Sequence, residues 1–282
     1  MKKLLSLFLL LSNGLLVSKN CSQTGCCNPK EQIRRNQRNK QLIKQEYGKV
    51  IEEGMCILGA GCCGGGKDLS ATIGYTREEL DAFADANFGL GCGHPVNLVE
   101  LQEGDIVLDL GSGAGLDCFL AARKVGPTGF VIGIDITQAM VDKAQANAQK
   151  YQFSNVGFYV GDIENLPIPD NVIDVVMSNC VINLADKEKV FKEIYRVLKP
   201  DGKIVISDII LTGPLTIGQK NNKKLLIACV SGAMQKNEYL ALLAQVGFKI
   251  TLLDEDREIN KKWFGDENNL PISSIKFVAQ KK

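Results

Sequence analysis

Short apolar runs alternate with stretches of helical spacing through the middle of the chain. The runs at 106–110, 130–134, 156–160, 172–178 and 203–210 predict strands, and the segments at 118–125, 137–150 and 186–198 predict helices between them. Two further strands are predicted at 248–253 and 272–280. Strands that alternate regularly with helices indicate an α/β protein with a parallel sheet, because each parallel connection needs a crossover.

Helical patterns also lie on either side of this region. A loosely amphipathic helix with a basic face is predicted at 33–53, and Thr76 with Glu79 forms a capping-box pattern at the start of a helix over 76–88. Residues 222–245 predict two helical segments, separated near Ser231 and Gly232.

A glycine loop follows the first strand of the α/β region. Asp109 lies near the end of that strand, and Gly111, Gly113 and Gly115 follow it directly. Glycines allow a ligand to approach the backbone closely, because no Cβ intervenes. Asp135 ends the next strand, close to the roughly 20-residue separation expected for an acid that binds a ribose. A dinucleotide site, or a purely structural turn, remains an alternative.

Two details of this loop favour a ligand without phosphate. The spacing is G-x-G-x-G and not the dinucleotide pattern G-x-G-x-x-G. The carboxylate of Asp109 would also repel a pyrophosphate and attract a cation. Asp162 follows the third strand, where ligands bind in such sheets, and could accept a hydrogen bond from an adenine amino group.

Cysteine is abundant and histidine is scarce. The 282 residues contain ten cysteines and one histidine, His94, with a net charge of +1. One histidine excludes a multi-histidine metal site, and the near-neutral charge gives no reason to expect nucleic acid or an anionic membrane as partner. Cys92 stands between two glycines, and Cys180 follows the fourth strand.

The other cysteines fall into three groups. Cys62 and Cys63 lie in a glycine-rich loop, where adjacent cysteines are poorly placed to bond to each other. Cys56 and Cys118 have apolar neighbours and are expected in the core. Cys21, Cys26 and Cys27 lie in a polar context and are not expected to be essential.

The first residues resemble a secretory leader. Two lysines precede a short apolar run within residues 1–17, but the small residues expected at a cleavage site are missing. Free thiols would be oxidised in a secretory compartment. We therefore expect a cytoplasmic protein, with the secretory pathway as the alternative.

The glycine loop resembles that of class I S-adenosylmethionine-dependent methyltransferases, whose donor has a ribose and an adenine but no phosphate. Three cysteine contexts, GCGHP at 91–95, SNCVINL at 178–184 and ACVSGA at 228–233, are similar to those of arsenite methyltransferases. The resemblance implies a Rossmann-like fold with a mostly parallel seven-stranded sheet whose last strand is antiparallel. It also implies an N-terminal thiol-bearing cap and a small C-terminal substrate-binding region.

The resemblance further implies roles for individual residues. Cys92, Cys180 and Cys229 would bind trivalent arsenic, and Cys62 or Cys63 would exchange with Cys92. S-adenosylmethionine would contact Asp109, Gly111, Ser112, Gly113, Asp135, Ile136, Asp162, Ile163 and Asn179. Trivalent arsenic prefers thiolates and can attack a sulfonium methyl through its lone pair, so no general base is required. An external thiol reductant of the thioredoxin or glutathione type is expected, and the protein is expected to be a monomer without stable membrane association.

The implied organisation is a leader at 1–20, a cysteine-bearing segment and cap at 21–100, a donor-binding domain at 101–212 and an arsenic-binding region at 213–282. Two other functions stay open at this point. One is methylation of carbon or oxygen in another small molecule, with structural cysteines, and the other is a soft-metal thiol binder without catalysis.

Overall fold

The computed structural model describes residues 29–53, 69–265 and 269–282. The leader at 1–20, together with Cys21, Cys26, Cys27, Cys56, Cys62 and Cys63, lies outside these ranges. Residues 36–282 cluster as one unit and residues 1–35 as another. Everything described below concerns the larger unit.

Seven strands form one sheet in the order β3-β2-β1-β4-β5-β7-β6. The strands are β1 (Ile106–Leu110), β2 (Phe130–Asp135), β3 (Val156–Val160), β4 (Ile173–Asn179), β5 (Leu198–Leu211), β6 (Phe248–Asp256) and β7 (Ile272–Lys281). The first five pair in parallel, and β7 runs antiparallel to both β5 and β6. The predicted α/β fold with a mostly parallel sheet of seven strands is confirmed.

Nine helices of the described ranges have defined bounds, in addition to a helical segment at 69–72. They are α1 (Pro29–Glu53), α2 (Arg77–Ala82), α3 (Leu116–Val125), α4 (Gln138–Lys150), α5 (Lys187–Val197), α6 (Ile217–Lys220), α7 (Lys223–Ile227), α8 (Lys236–Val246) and α9 (Ile259–Phe264). Two 3₁₀ turns, Pro95–Asn97 and Ile182–Leu184, precede β1 and α5 respectively. None of the helices in the described ranges is both long and apolar enough to cross a bilayer.

Two predicted elements have other lengths in the structure. The capping box at Thr76 and Glu79 forms, but α2 ends at Ala82 and not at residue 88. The backbone leaves the helix at Phe83, with φ of −129° and ψ of 42°, and the buried Phe83 ring packs against Phe119 and Tyr151, with ring centroids 5.4 and 5.2 Å away. Strand β5 begins at Leu198 rather than residue 203, because Leu198 already pairs with Ile173 across a bulge.

Two buried clusters make up the core. One contains Phe119 and Val131, and the other contains Ile134 and Phe191. Side chains of successive strand residues point to opposite faces, so neighbouring residues such as Leu108 and Val107 fall in different clusters. Strands β1, β4 and β5 are largely buried on both faces, and ligands of open α/β sheets bind beyond the carboxyl ends of the strands.

Candidate active site

A cleft of about 1120 Å³, open mouth included, lies at the carboxyl ends of β1, β2 and β4. Small-molecule sites are of this order of size. All of the residues predicted to contact the donor line it, namely Asp109, Gly111, Ser112, Gly113, Asp135, Ile136, Asp162, Ile163 and Asn179. The carboxyl edge of the sheet therefore brings together residues that are far apart along the chain.

The glycine loop and Asp135 are joined at the floor of this cleft. The Asp135 carboxylate accepts hydrogen bonds from the N–H groups of Gly113, at 3.0 Å, and Thr137, at 2.9 Å. Gly113 has a φ of 52°, and a Cβ built on it would meet nothing within 4 Å, so the loop faces free space. The buried Ser112 Oγ has no hydrogen-bond partner among the residues described. This hydroxyl lies against β2, 2.7 Å from where a Cβ on Gly133 would stand.

Two further carboxyl groups are buried in the cleft. Asp109 is 3% exposed and Asp117 is 8% exposed. Burial raises the pKa of both groups, and the neighbouring Asp117 charge raises that of Asp109 further. Asp109 accepts a hydrogen bond from the Cys118 thiol at 3.1 Å. A cation in the cleft would stabilise the ionised form of both carboxyl groups, so the site suits a positively charged ligand.

The amide of Asn179 connects the cleft to the Cys92 loop. Its Nδ2 donates to the Gly93 carbonyl at 2.8 Å, to the Tyr75 hydroxyl at 2.9 Å and to Asp117 at 3.2 Å. Its Oδ1 accepts from the Cys92 N–H at 3.0 Å. A single side chain at the end of β4 therefore sets the position of the Cys92 backbone relative to the cleft.

The thiols of Cys92, Cys180 and Cys229 lie together at one end of the cleft. The Cys180 thiol lies within hydrogen-bonding reach of the thiols of Cys92 and Cys229, and the Cys229 Sγ donates to the Cys180 carbonyl at 2.6 Å. All three residues are buried, and burial raises the pKa of Cys92 and, more strongly, of Cys180. Of the three, only Cys180 lines the cleft.

The three sulfurs adjoin one another without yet pointing to a common centre. No group of three or more His, Cys, Asp or Glu side chains in the described ranges is arranged as a metal-ion cage. The Cys229 thiol instead donates to the Cys180 carbonyl. A side-chain rotation would be needed for all three to bind one atom.

The backbone at two of these cysteines is unusual. Cys180 has a φ of 62° and Cys229 a φ of 61°. Left-handed backbone costs a residue with a Cβ about 1–2 kcal/mol. Strained residues of this kind cluster at functional sites, where the surrounding structure holds them. Both cysteines therefore sit where the fold tolerates a cost in order to present them.

A buried polar network lies behind the thiols. Asp208 accepts hydrogen bonds from Asn183 at 2.9 Å and from the Tyr239 hydroxyl at 3.1 Å. Burial raises the pKa of Asp208 to about 7, partly opposed by the nearby Lys187. Lys187 donates to the Gly232 carbonyl at 2.6 Å, and Asp208 and the Cys229 thiol are near its ammonium group. This network fixes the loop that carries Cys229.

Helix α1 covers part of the cleft. Lys40 forms ion pairs with Asp162 at 2.6 Å and Glu164 at 2.9 Å. The Tyr47 hydroxyl donates to the Ile227 carbonyl at 3.1 Å and lies within reach of the Cys229 thiol. The predicted basic helix thus contributes side chains to the cleft, which its periodicity did not reveal.

The sequence missed several of the residues that complete the site. Tyr75, Asp117, Lys187 and Asp208 were not among the candidates, although Asp208 lies in a predicted strand and Asp117 follows the glycine loop within a few residues. The expected core position of Cys118 is confirmed, since it is fully buried. Cys62 and Cys63, the other candidate thiols, lie outside the described residues.

A cleft at the carboxyl edge of a seven-stranded mixed sheet, with a glycine loop and an acid at the end of β2, is the arrangement of the class I methyltransferases. A family model described as "Methyltransferase domain" matches residues 101–247. The chain therefore belongs to the methyltransferase-domain family.

Relatives within this family share the more specific resemblance. The arsenite methyltransferase of Halobacterium salinarum is 38% identical over 245 residues, which cover 81% of this chain and 63% of that protein. The human arsenite methyltransferase is 34% identical over 216 residues, covering 73% of this chain and 57% of that protein. The chain thus spans less than two thirds of the length of these curated relatives.

A solved structure shows the same resemblance to arsenite methyltransferases. The crystal structure of an arsenic(III) S-adenosylmethionine methyltransferase from Chlamydomonas reinhardtii superposes with a TM-score of 0.57 at 31% identity. The match covers 77% of this chain and 73% of that one. The resemblance to arsenite methyltransferases that the cysteine contexts indicated is confirmed.

Proposed function

We propose that this protein is an arsenite methyltransferase, which transfers methyl groups from S-adenosylmethionine to trivalent arsenic held by Cys92, Cys180 and Cys229, as a step in arsenic detoxification. One observation carries the proposal: Cys180 lines the cleft and also contacts the thiols of Cys92 and Cys229. An atom bound by these sulfurs would lie beside whatever occupies the cleft.

The residues of the cleft fit the donor. Asp135 would bind the ribose hydroxyls with the oxygen lone pairs that the loop amides leave free, and Asp162 with Ile163 would contact the adenine. The buried carboxyl groups of Asp109 and Asp117 suit a ligand with cationic groups, and the unpartnered Ser112 hydroxyl offers a hydrogen bond. When bound, S-adenosylmethionine supplies an electrophilic methyl group on a sulfonium.

The thiols would bind arsenic in steps that balance without a separate base. Each As–S bond forms as a hydroxide of arsenous acid leaves with the thiol proton as water. Three sulfurs then leave the arsenic lone pair on the remaining side, where it can accept a methyl group. The protein's contribution is to align this lone pair and to exclude water from the buried sulfurs.

Repeated turnover needs two electrons per methyl group, because a methylated arsenic atom is formally pentavalent. Two thiolates supply these electrons when they join as a disulfide. Under this proposal Cys92 pairs with Cys62 or Cys63, and an external thiol of the thioredoxin or glutathione type restores both by exchange. This requirement for reduced thiols favours the reducing cytoplasm as the location, and a monomer stays a prediction.

The test uses the full chain with arsenite, S-adenosylmethionine and a thiol reductant, and methylated arsenicals are separated and counted. We expect Cys92→Ser, Cys180→Ser and Cys229→Ser each to abolish at least one methylation step. Arsenite binding is measured separately, and Cys118→Ala is the control because Cys118 is equally buried but belongs to the core beside Asp109. It should keep the wild-type stoichiometry of arsenite.

Other results would contradict the proposal. Full activity in all three serine variants would remove the thiols from the mechanism. Donor binding without turnover of arsenite would indicate a methyltransferase for another small molecule. Arsenite binding without consumption of the donor would indicate a soft-metal binder.

A further inference from the structure

Helix α1 presents one row of side chains to the cleft. Lys40, Ile43 and Tyr47 all line it, and their spacing of three and four residues places them on the same helical face. Ile43 is buried, and the ion pairs of Lys40 with the carboxylates of Asp162 and Glu164 hold this face at the rim. The helix is therefore part of the wall of the cleft.

The Tyr47 hydroxyl lies between the two halves of the site. It donates its proton to the Ile227 carbonyl, two residues before Cys229, and its oxygen lies within reach of the Cys229 thiol. The Cys180 thiol and the Asp135 carboxyl are also among its electrostatic neighbours. Tyr47 thus lines the same cleft as Cys180 and as Asp135, the acid proposed to bind the ribose.

An ordinary packing role does not account for this position. The ring is only half-buried and faces the cleft, whereas large side chains that serve packing, such as Phe119 and Tyr239, are fully buried. The hydroxyl is enclosed even so, since burial raises the pKa of Tyr47 well above its usual value. A buried hydroxyl needs a partner, and the Tyr47 hydroxyl has the Ile227 carbonyl as acceptor, with the Cys229 thiol, a proposed arsenic ligand, close by.

We propose that Tyr47 is a positioning residue, whose hydroxyl orients the Cys229 sulfur for arsenic and whose ring separates the donor cleft and thiols from water. The inference rests on the proposed function. The Cys229 thiol now donates to the Cys180 carbonyl, so its sulfur must turn away from that carbonyl to bond to arsenic. The phenol has a single proton, which it can give to the Ile227 carbonyl or to the turned sulfur.

Two variants separate the hydroxyl from the ring. Tyr47→Phe removes the hydroxyl alone. Tyr47→Leu also removes the aromatic ring that Tyr47 contributes to the wall of the cleft. The matched control is Tyr195→Phe. It removes a hydroxyl that donates to the Lys282 carbonyl at 2.8 Å, and Lys282 lies far along the chain from the three thiols. Arsenite affinity without donor, donor affinity without arsenite, kcat and KM are measured for each variant of the full chain.

A lost hydrogen bond of ordinary strength should weaken arsenite binding of Tyr47→Phe about 2- to 12-fold. The donor affinity of this variant should remain within about twofold of wild type, because the ring is kept. Tyr47→Leu should lose donor affinity as well and should release a different proportion of singly and multiply methylated arsenic. Tyr195→Phe should match wild type in every binding measurement.

The outcomes distinguish this inference from the function on which it rests. Wild-type protein that binds the donor but neither binds nor methylates arsenite overturns both. Wild-type protein that methylates arsenite, with Tyr47→Phe equal to Tyr195→Phe in arsenite affinity and KM, overturns the role of Tyr47 alone. A Tyr47→Leu variant that fails to fold leaves the comparison of the two phenylalanine variants decisive.

Discussion

Replacement of Asn179 by alanine is a quantitative test of how the site is held together. The change removes four hydrogen bonds, to Gly93, Tyr75 and Asp117 and from the Cys92 N–H. Each contributes about 0.5–1.5 kcal/mol to the free energy of unfolding, and they are not additive because they share one amide. We expect a loss of about 2–4 kcal/mol.

The same change should weaken arsenite binding, because the Cys92 backbone would no longer be held at the cleft. Asn155→Ala is the control for the loss of stability. Its amide donates to the carbonyls of Ala122 at 3.1 Å and Gly126 at 2.9 Å, away from every thiol of the site. We expect it to cost about 1–2 kcal/mol and to leave arsenite affinity unchanged.

Urea unfolding gives the free energies, and arsenite titration at a temperature where both variants are folded gives the affinities. A constant m-value is required for the comparison of stabilities. If Asn179→Ala were destabilised by less than about 0.5 kcal/mol, the four contacts would carry no net stability. If its arsenite affinity fell no more than that of Asn155→Ala, the link between Asn179 and the thiols would be refuted.

Three further outcomes follow from the geometry. Gly111→Ala should destabilise the fold by at least about 1–2 kcal/mol in urea unfolding, because φ is 68° and the new Cβ would lie 2.6 Å from Val181; an unchanged midpoint would contradict this. Asp208 has a pKa of about 7 in the folded protein and near 4 when unfolded, so the folded state binds the extra proton between these values. Its contribution to stability therefore falls as pH rises through that window, by up to about 4 kcal/mol, and Asp208→Asn should flatten the measured profile. Lys40→Ala should lower stability by no more than about 1 kcal/mol, since its ion pair with Asp162 is partly exposed, and 0.5 M salt should shrink the difference.

The sheet was predictable because its signal is local. Buried parallel strands are short apolar runs, and the strands β1 to β4 begin and end within a residue of the predicted bounds. The helix over 76–88 was predicted too long, because the burial of Phe83 against Phe119 and Tyr151 depends on residues that lie far along the chain. Local spacing cannot report such packing.

The cleft could be predicted for the same reason, and the residues around it could not. Asp135 ends a strand, and Asp162 and Cys180 follow strands. The edge where the parallel strands end therefore brings these residues together, independently of the rest of the chain. Tyr47 and Lys187 reach the site from helices. The sequence of each helix predicts that it forms but does not indicate where it packs. A tyrosine on an amphipathic face predicts burial, not a thiol as its neighbour.

The left-handed backbone at Cys180 and Cys229 has a consequence for how variants of this protein are judged. Glycine at either position would release about 1–2 kcal/mol of conformational strain while it removes one small buried side chain. These contributions oppose each other, so an inactive Cys229→Gly protein should melt close to the wild-type temperature. A thermal-shift screen would therefore not detect the loss of activity. At these positions the residue that activity requires differs from the one that would best stabilise the fold.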